Sequence, residues 1–477
     1  MSARPPSLIT RRSFLAASGL GTASLLVPGL WTPARAADPW ARADAIVAGI
    51  KVPTFPARDF LITKYGAAGD GRTDCTAAIA KAIAACHQAG GGRVVVPAGT
   101  FLTGAVHLLS NVNLYLAKGA TLRFSTDPRD YLPVVLTSYE GNDCYNYSPL
   151  IYAYQQQNIA VTGEGTLDGQ ASSQNWYRWV PKAVWGWHKG MPQQGADSRK
   201  LRAQGEAGAP VAQRVYGAGH YLRPQFIEPH SCTNVLIEGV TVRNAPFWTI
   251  HPMLSRSVTI RDVTVASQGP NDDGCDPESC DGVLIQGCHF DTKDDCIAIK
   301  SGRGRDGLRR AAPSQNIVIR DCRVSRGGGG VAIGSEEGGG VSNVYVDGLT
   351  GDDPRLSTGV LIKAMSYYGA GTVEQVYMRN VRLAGVQNAV ITMTYYYGGV
   401  PENGPYRPTF RNISFSGFTC GKSRNALNLH GFPDHPIGPV QVSASAFAGV
   451  SGTGVTAENV QGLQLTNVTV NGKPVRR

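Results

Sequence analysis

Past its first forty residues the sequence has no apolar stretch long enough to cross a bilayer, which excludes a membrane-embedded mature chain. It also lacks basic runs interleaved with aromatics and any recognition-helix pattern, so nucleic acid is not expected as a partner. Cysteine is not scarce: there are ten. In an exported chain that number invites a disulfide framework, but the repeat described below assigns at least two of them to a core.

The amino-terminal segment reads as an export signal. Thr10-Arg11-Arg12-Ser13-Phe14-Leu15 precedes an apolar stretch from Ala16 to Leu30, and Ala34-Arg35-Ala36 closes it with small residues suited to cleavage. Paired arginines before a Gly-, Ala- and Ser-containing segment suit the twin-arginine route, which carries folded cargo; an ordinary secretory signal is the alternative. A permanent anchor is disfavoured because the stretch is short and holds Gly19, Gly21 and Pro28. The expected organisation is a signal over residues 1–36, a linker over 37–57 and one long domain over 58–477, located in the periplasm or secreted. Loss of Arg4, Arg11, Arg12 and Arg35 with the signal lowers the formal charge from +10 to about +6. That modest basic excess suits a polyanionic partner without requiring one.

A repeat sets the fold. Asn234-Val-Leu-Ile, Ser257-Val-Thr-Ile, Gly282-Val-Leu-Ile, Asn316-Ile-Val-Ile, Asn343-Val-Tyr-Val, Gln375-Val-Tyr-Met and Asn412-Ile-Ser-Phe share one pattern. Five residues after each start stands Gly239, Asp262, Gly287, Asp321, Gly348, Asn380 or Gly417, types that tolerate a left-handed backbone and so mark a corner. The next residues, Val240, Val263, Cys288, Cys322, Leu349, Val381 and Phe418, form an apolar ladder, which makes Cys288 and Cys322 core residues. A second strand series runs through Cys296–Ser301, Gly330–Ser335, Gly359–Ala364, Asn388–Met393 and Asn425–His430. Fixed strands with loops of varying length predict an all-β, right-handed single-stranded parallel β-helix, a pectin-lyase-like solenoid. The spacing of Ala77, Ile79, Ala82, Ile83 and Cys86 predicts a helix between Asp74 and Gly92 that caps its open amino-terminal end. Residues 175–221, with Trp176, Trp179, Trp185 and Trp187, break the repeat as either a functional or a merely packed insertion.

Two acidic clusters fall at matching places on adjacent coils: Asn271-Asp272-Asp273-Gly274 and Lys293-Asp294-Asp295-Cys296. Strands about 4.8 Å apart would gather their carboxylates into one patch, and crowding raises at least one carboxyl pKa. One protonated and one ionised carboxyl is what glycoside hydrolysis requires. A surface Asp turn or a calcium site would use the same residue types.

Several ordered motifs resemble those of glycoside hydrolase family 28, the polygalacturonase family. They are Pro270-Asn-Asp-Asp-Gly274, Asp276-Pro-Glu-Ser279, Asp294-Asp-Cys-Ile-Ala-Ile-Lys-Ser-Gly302, Ile333-Gly-Ser-Glu336, Leu361-Ile-Lys363, Ala245-Pro-Phe-Trp248, Gly66–Thr73 and Gly90–Phe101. The resemblance runs from about residue 60 to the end. It implies Asp294 as general acid, Asp273 and Asp295 as activators of water, and Asn271, Lys300 and Lys363 as substrate-binding groups, Lys363 on a galacturonate carboxylate. Direct inversion follows, for which carboxyl groups usually stand about 6.5–9.5 Å apart; adjacent Asp294 and Asp295 cannot meet that alone, so Asp273 is needed. No metal and no cofactor are called for, the partner is a pectin-type polysaccharide, and a monomer is expected. Two positions depart from the family: its Gly-His-Gly reads Gly327-Gly328-Gly329, and its Arg-Ile-Lys reads Leu361-Ile362-Lys363. Gly328 and Leu361 thus remove an imidazole and a guanidinium from the substrate-binding side, and Asp272, where the family commonly has Thr, adds negative charge. All three favour a less anionic neighbour, such as rhamnose, at the scissile bond.

The readings in competition are therefore a polygalacturonase-like hydrolase, a rhamnogalacturonan or rhamnosyl hydrolase, a polysaccharide lyase, and a non-catalytic carbohydrate-binding β-helix. The export reading is tested first: changing Arg11 and Arg12 to Lys strands the precursor in the cytoplasm. Unchanged export in fractionated cells refutes the twin-arginine route.

Overall fold

Coils of parallel strand stack on one another from Asp59 to Val470. The computed structural model describes residues 38–369, 371–399 and 402–476; the expected signal lies outside them. The seven repeat segments pair in the predicted register, Val235 with Val258, then Val283, Ile317, Val344, Val376 and Ile413. Strands on both sides of the corner belong to one large sheet of 25 strands. A six-stranded sheet closes another face of the coil, with Ile297–Ile299, Gly327–Ile333, Leu356–Lys363, Ala389–Thr394, Asn425–His430 and Val455–Glu458 as its strands. The architecture is the right-handed parallel β-helix that the repeat predicts.

The corners explain why these short segments hold. Gly239, Asp262, Gly287, Asp321, Gly348, Asn380 and Gly417 all have φ between 51° and 82°. The residue that opens each segment is also left-handed, from Ser257 at 53° to Gly282 at 76°, so each strand is bent at both ends. Asparagine fits this role because its amide bonds across coils: Asn158 Nδ2 donates to Asn111 Oδ1 at 3.1 Å and Asn234 Nδ2 to Asn158 Oδ1 at 2.9 Å. Inside the coil the ladder from Val240 to Phe418 is fully buried, and Cys288 and Cys322 stand in it as expected. All ten cysteines are buried free thiols.

Three expectations need correction. The second strand series slips by two residues: Val360 pairs with Ile391, so Gly359 stands opposite Val390 and not Asn388, and Asn425 stands opposite Ala389. The slip keeps Val390, Ile391 and Leu427 buried, and the apolar core outweighs the Gly/Asn punctuation that suggested the other register. Residues read as linker contain a helix, α1 (Pro39–Gly49). It lies on the outside of the large sheet, where Ala43 and Ile46 cover Leu284, Val318 and Tyr345. The predicted cap is helix α2 (Thr76–Gln88), packed on the first strands with Ile79, Ala82, Ile83 and Cys86 buried; Ala78, not Ala77, completes that face.

Three excursions leave the solenoid. Val135–Tyr139 and Asn142–Asn146 form an antiparallel hairpin turned by Glu140 and Gly141. The insertion carries helix α3 (Gly195–Ala207), and a short helix α4 (Gly304–Arg310) follows the strand Ile297–Ile299. Among the described residues no helix is long and apolar enough to cross a membrane.

The corner analysis is checked at Asn316, φ 57°, whose Nδ2 donates to Asp281 Oδ1 at 2.7 Å and whose Oδ1 accepts from Asn343 at 3.3 Å. Asn316→Ala loses both bonds and must hold a left-handed backbone, so it destabilises by roughly 1–3 kcal/mol. Asn316→Gly, free to adopt that φ, loses less. Equal urea midpoints for the two variants would refute the conformational argument.

Candidate active site

Backbone hydrogen bonds bring the two acidic clusters to one level. Thr249 N donates to Asp273 O at 2.8 Å, Gly274 N to Asp295 O at 2.9 Å and Cys296 N to Gly329 O at 2.8 Å. Asp273, Asp295 and Gly329 thus follow one another up successive coils, just before the strands of the six-stranded face. Asp273, Asp294 and Asp295 each offer a carboxylate oxygen within 4.8 Å of the others. This is tighter than the separation expected for an inverting pair, and the coil spacing itself imposes it.

Two ammonium groups hold this negative charge together. Lys363 Nζ stands 2.6 Å from Asp295 Oδ2 and 3.5 Å from the Tyr397 hydroxyl. Lys300 Nζ lies 3.5 Å from Asp273, 3.6 Å from Asp276 and 3.5 Å from Glu336, and 4.4 Å over the Trp248 ring. Asp273 and Asp295 are buried, whereas Asp294 is partly open. Burial, then the charge of Asp295, raises the Asp294 pKa, and Lys363 acts against both. Burial, then Asp294, pushes Asp273 up as well. Asp273 and Asp294 titrate together, and the pair retains a proton above the usual carboxylate range.

Asp273 and Asp294 line a cavity of about 250 Å³ with Asn271, Lys300, Lys363, Trp248, Ser335, Glu336, Met365, Tyr368 and Tyr397. Asn271 is left-handed at φ 53°, and its Oδ1 accepts from the buried Arg223 at 2.8 Å. Arg223 also donates to Pro246 O and Pro270 O, tying the loop of Asn271 to the coil before it. Nothing in its local sequence distinguishes Arg223. Of the expected site residues, Asn271, Asp273, Asp294, Lys300 and Lys363 converge on the cavity, and Asp295 stands directly behind Lys363. Gly328 and Leu361 flank the acids without lining the cavity. A Cβ at Gly328 would sit 2.9 Å from Asp295 Oδ1 and 3.3 Å from Asp294 Oδ1. Leu361 stands on the outer face, two coils from Ala298.

Asp272 behaves differently from its expected role. It is fully buried, and its carboxylate accepts from the backbone N–H groups of Gly269, Lys293 and Asp294 at 2.7–3.1 Å. It organises the loop that carries Asp294 and does not line the cavity; burial lifts its pKa to about 6.

Two guanidinium groups reach the cavity from outside the repeating strands. Arg202, on α3, and Arg303, just before α4, both line the cavity, and both bind Glu140 at the hairpin turn. Arg303 Nη1 is 2.9 Å from Glu140 Oε2, and its guanidinium carbon lies 3.4 Å from the centre of the Tyr368 ring. Burial opposes ionisation of Glu140, but Arg202 and Arg303 outweigh it and bring its pKa down to about 2. With Lys300 and Lys363 the cavity has four cationic groups, which face the acids Glu140, Asp273, Asp294 and Glu336. The sequence signal was the insertion itself, rich in basic and aromatic residues; the distance between Arg202 and Arg303 along the chain hid their meeting.

Comparison with known proteins places this geometry. The sequence model of glycosyl hydrolases family 28 matches residues 218–469, and that of rhamnogalacturonase A/epimerase, pectate lyase-like, matches residues 60–120. An exopolygalacturonase structure from Thermotoga maritima is 40% identical, covers 92% of this chain and 97% of its own, and superposes with a TM-score of 0.88. A probable polygalacturonase of Vitis vinifera is 29% identical over 398 residues, 80% of this chain and 72% of that one. An exo-poly-alpha-D-galacturonosidase of Dickeya chrysanthemi is 29% identical over 377 residues, 75% of this chain and 60% of that one.

Lys363 supplies a test. Because its charge lowers the Asp294 pKa against burial and Asp295, Lys363→Met raises that pKa further. Any activity that depends on protonated Asp294 then keeps its alkaline limb to higher pH, though at a reduced rate. A limb that stays in place or moves to lower pH would show that Lys363 does not act on the titrating acid.

Proposed function

The chain belongs to glycoside hydrolase family 28, and from that premise we propose that it hydrolyses the galacturonate backbone of pectin, from a chain end and with inversion at the anomeric carbon. The observation that carries this reading is the pairing of a partly open Asp294, its pKa raised, with an Asp295 held by Lys363 and an Asp273 held by Lys300. Asp294 gives its proton to the glycosidic oxygen as the bond to the anomeric carbon breaks. Asp273 and Asp295 take a proton from a water whose oxygen bonds to that carbon from the opposite face. One water is consumed, and the proton gained by the base replaces the one that Asp294 lost.

The close spacing of the acids is compatible with this. A water that makes two hydrogen bonds of about 2.8 Å can bridge oxygens up to roughly 5.6 Å apart, and the three carboxylates offer oxygens within 4.8 Å. The four cations suit an anionic sugar more than rhamnose. A lyase would leave an unsaturated, ultraviolet-absorbing product, which this route does not form. Attack from a chain end draws support from the likeness to the Thermotoga maritima exopolygalacturonase and from the hairpin turn, where Glu140 lines the cavity and Gly141 O accepts from Arg303 N at 2.9 Å. In this reading residues 58–477 are the glycosidase domain, and residues 1–36 direct a monomeric enzyme to the periplasm or the outside.

Asp294→Asn, Asp295→Asn and Asp273→Asn each keep the fold and lose about 10²–10⁴ or more in rate on polygalacturonate. Proton NMR of the first product shows the anomer opposite to that of the substrate. Retained configuration, or near-normal turnover by Asp294→Asn, overturns the assigned roles.

A further inference from the structure

We propose that Arg303 and Arg202, held by Glu140, form a specificity-determining wall that binds the carboxylate of the terminal galacturonate. This rests on the polygalacturonate reading above and extends it to the residues that recognise the chain end. Position 328 has no imidazole and position 361 no guanidinium, so the six-stranded face itself offers only Lys300 and Lys363 as cations to the cavity. The two arginines come from outside the solenoid's repeating strands, one on α3 and one on the loop before α4.

The geometry leaves one side of Arg303 free to bind. Its Nη1 is taken by Glu140 at 2.9 Å, its Nε is buried without a hydrogen-bond partner, and Nη2 lies 4.0 Å from Glu336. Nη2 is the donor left for a carboxylate in the cavity, through a charge-assisted hydrogen bond. The guanidinium is 5% exposed and lies flat against Tyr368, so it is already oriented and loses little freedom on binding. Arg202 lies behind it on the same Glu140 carboxylate, with its Nη1 3.4 Å from the Tyr368 hydroxyl and its Nε also unpartnered. An isolated Arg pair would repel; Glu140, ionised across the working range, allows both to share one wall. Lys300 and Glu336 connect this wall to the acids, since Glu336 contacts both Lys300 and Arg303.

A methyl ester at the terminal unit removes the charge that the wall would bind while leaving the scissile bond intact. The test compares kcat/KM for short oligogalacturonates with a free or a methyl-esterified terminal carboxylate. The native enzyme should prefer the free acid, and Arg303→Lys and Arg202→Met should each lower kcat/KM on it about 10- to 100-fold, mostly through KM, with little change on the ester. Glu140→Gln, which leaves the arginines unheld, should move the preference the same way. Arg178→Met, an exposed cation of the same insertion outside this cavity, controls for loss of net charge and should leave the ratio unchanged. Arg202 is partly exposed, so its variant stands if a change at Arg303 prevents folding. Folded Arg202 and Arg303 variants that keep the native preference overturn the wall. A native enzyme that hydrolyses free and esterified ends equally overturns it too, while leaving the hydrolase reading intact. Absence of any hydrolysis of galacturonate oligomers takes both down.

Discussion

The register between successive coils is the constraint on which the site depends. Asp273, Asp295 and Gly329 meet because Thr249, Gly274 and Cys296 each donate one backbone hydrogen bond to the next coil. A one-residue slip in a strand turns every side chain to the opposite face. Here it would carry an acid inward and a core residue such as Cys275 or Ile297 outward. The left-handed corners prevent that slip, since a position that needs φ near 55° cannot move by one residue without forcing a β-branched neighbour into the same conformation.

The same register creates an electrostatic problem. Stacking acids from two coils brings three carboxylates within 4.8 Å, and burial makes their mutual repulsion larger than it would be in water. Lys363 and Lys300 meet it from the far end of the same strands, where Lys300, Gly334 and Lys363 occupy one row on three successive coils. A side chain at Gly334, between them, would strike Lys363 O at 2.0 Å. The balance is incomplete, so one carboxyl still favours its proton. Structural stability and chemistry depend on one arrangement: enough positive charge to fold around the acids, too little to ionise all of them.

Legibility in the sequence followed the range of the interactions. Asn234 to Asn412 could be aligned because each segment repeats its own local signal, a polar left-handed residue followed by alternating apolar ones. The second series failed at Asn388, where the local signal and the buried residues Val390 and Ile391 disagree by two positions and burial prevails. Asp272 was read from its charge, but its role depends on three backbone N–H groups that no motif displays. Helix α1 was missed because its two buried residues, Ala43 and Ile46, need partners from distant coils to show an apolar face. Glu140, Arg202 and Arg303 lie 62 and 163 residues apart as pairs, so no spacing rule brings them together.

That distance has a physical consequence for how such a scaffold changes its substrate. Groups on the strands are fixed to a ladder with a repeat of about 4.8 Å, so the acids and lysines cannot be moved without moving a whole coil. Loops between strands carry no such restriction, and the hairpin, α3 and the loop before α4 each reach the cavity from a different coil. A guanidinium carried on a loop therefore needs no place in the row of Ala298, Ala332 and Leu361. Under the proposed wall, the cations that positions 328 and 361 do not offer would come from the insertion and the loop before α4, where the ladder imposes no row.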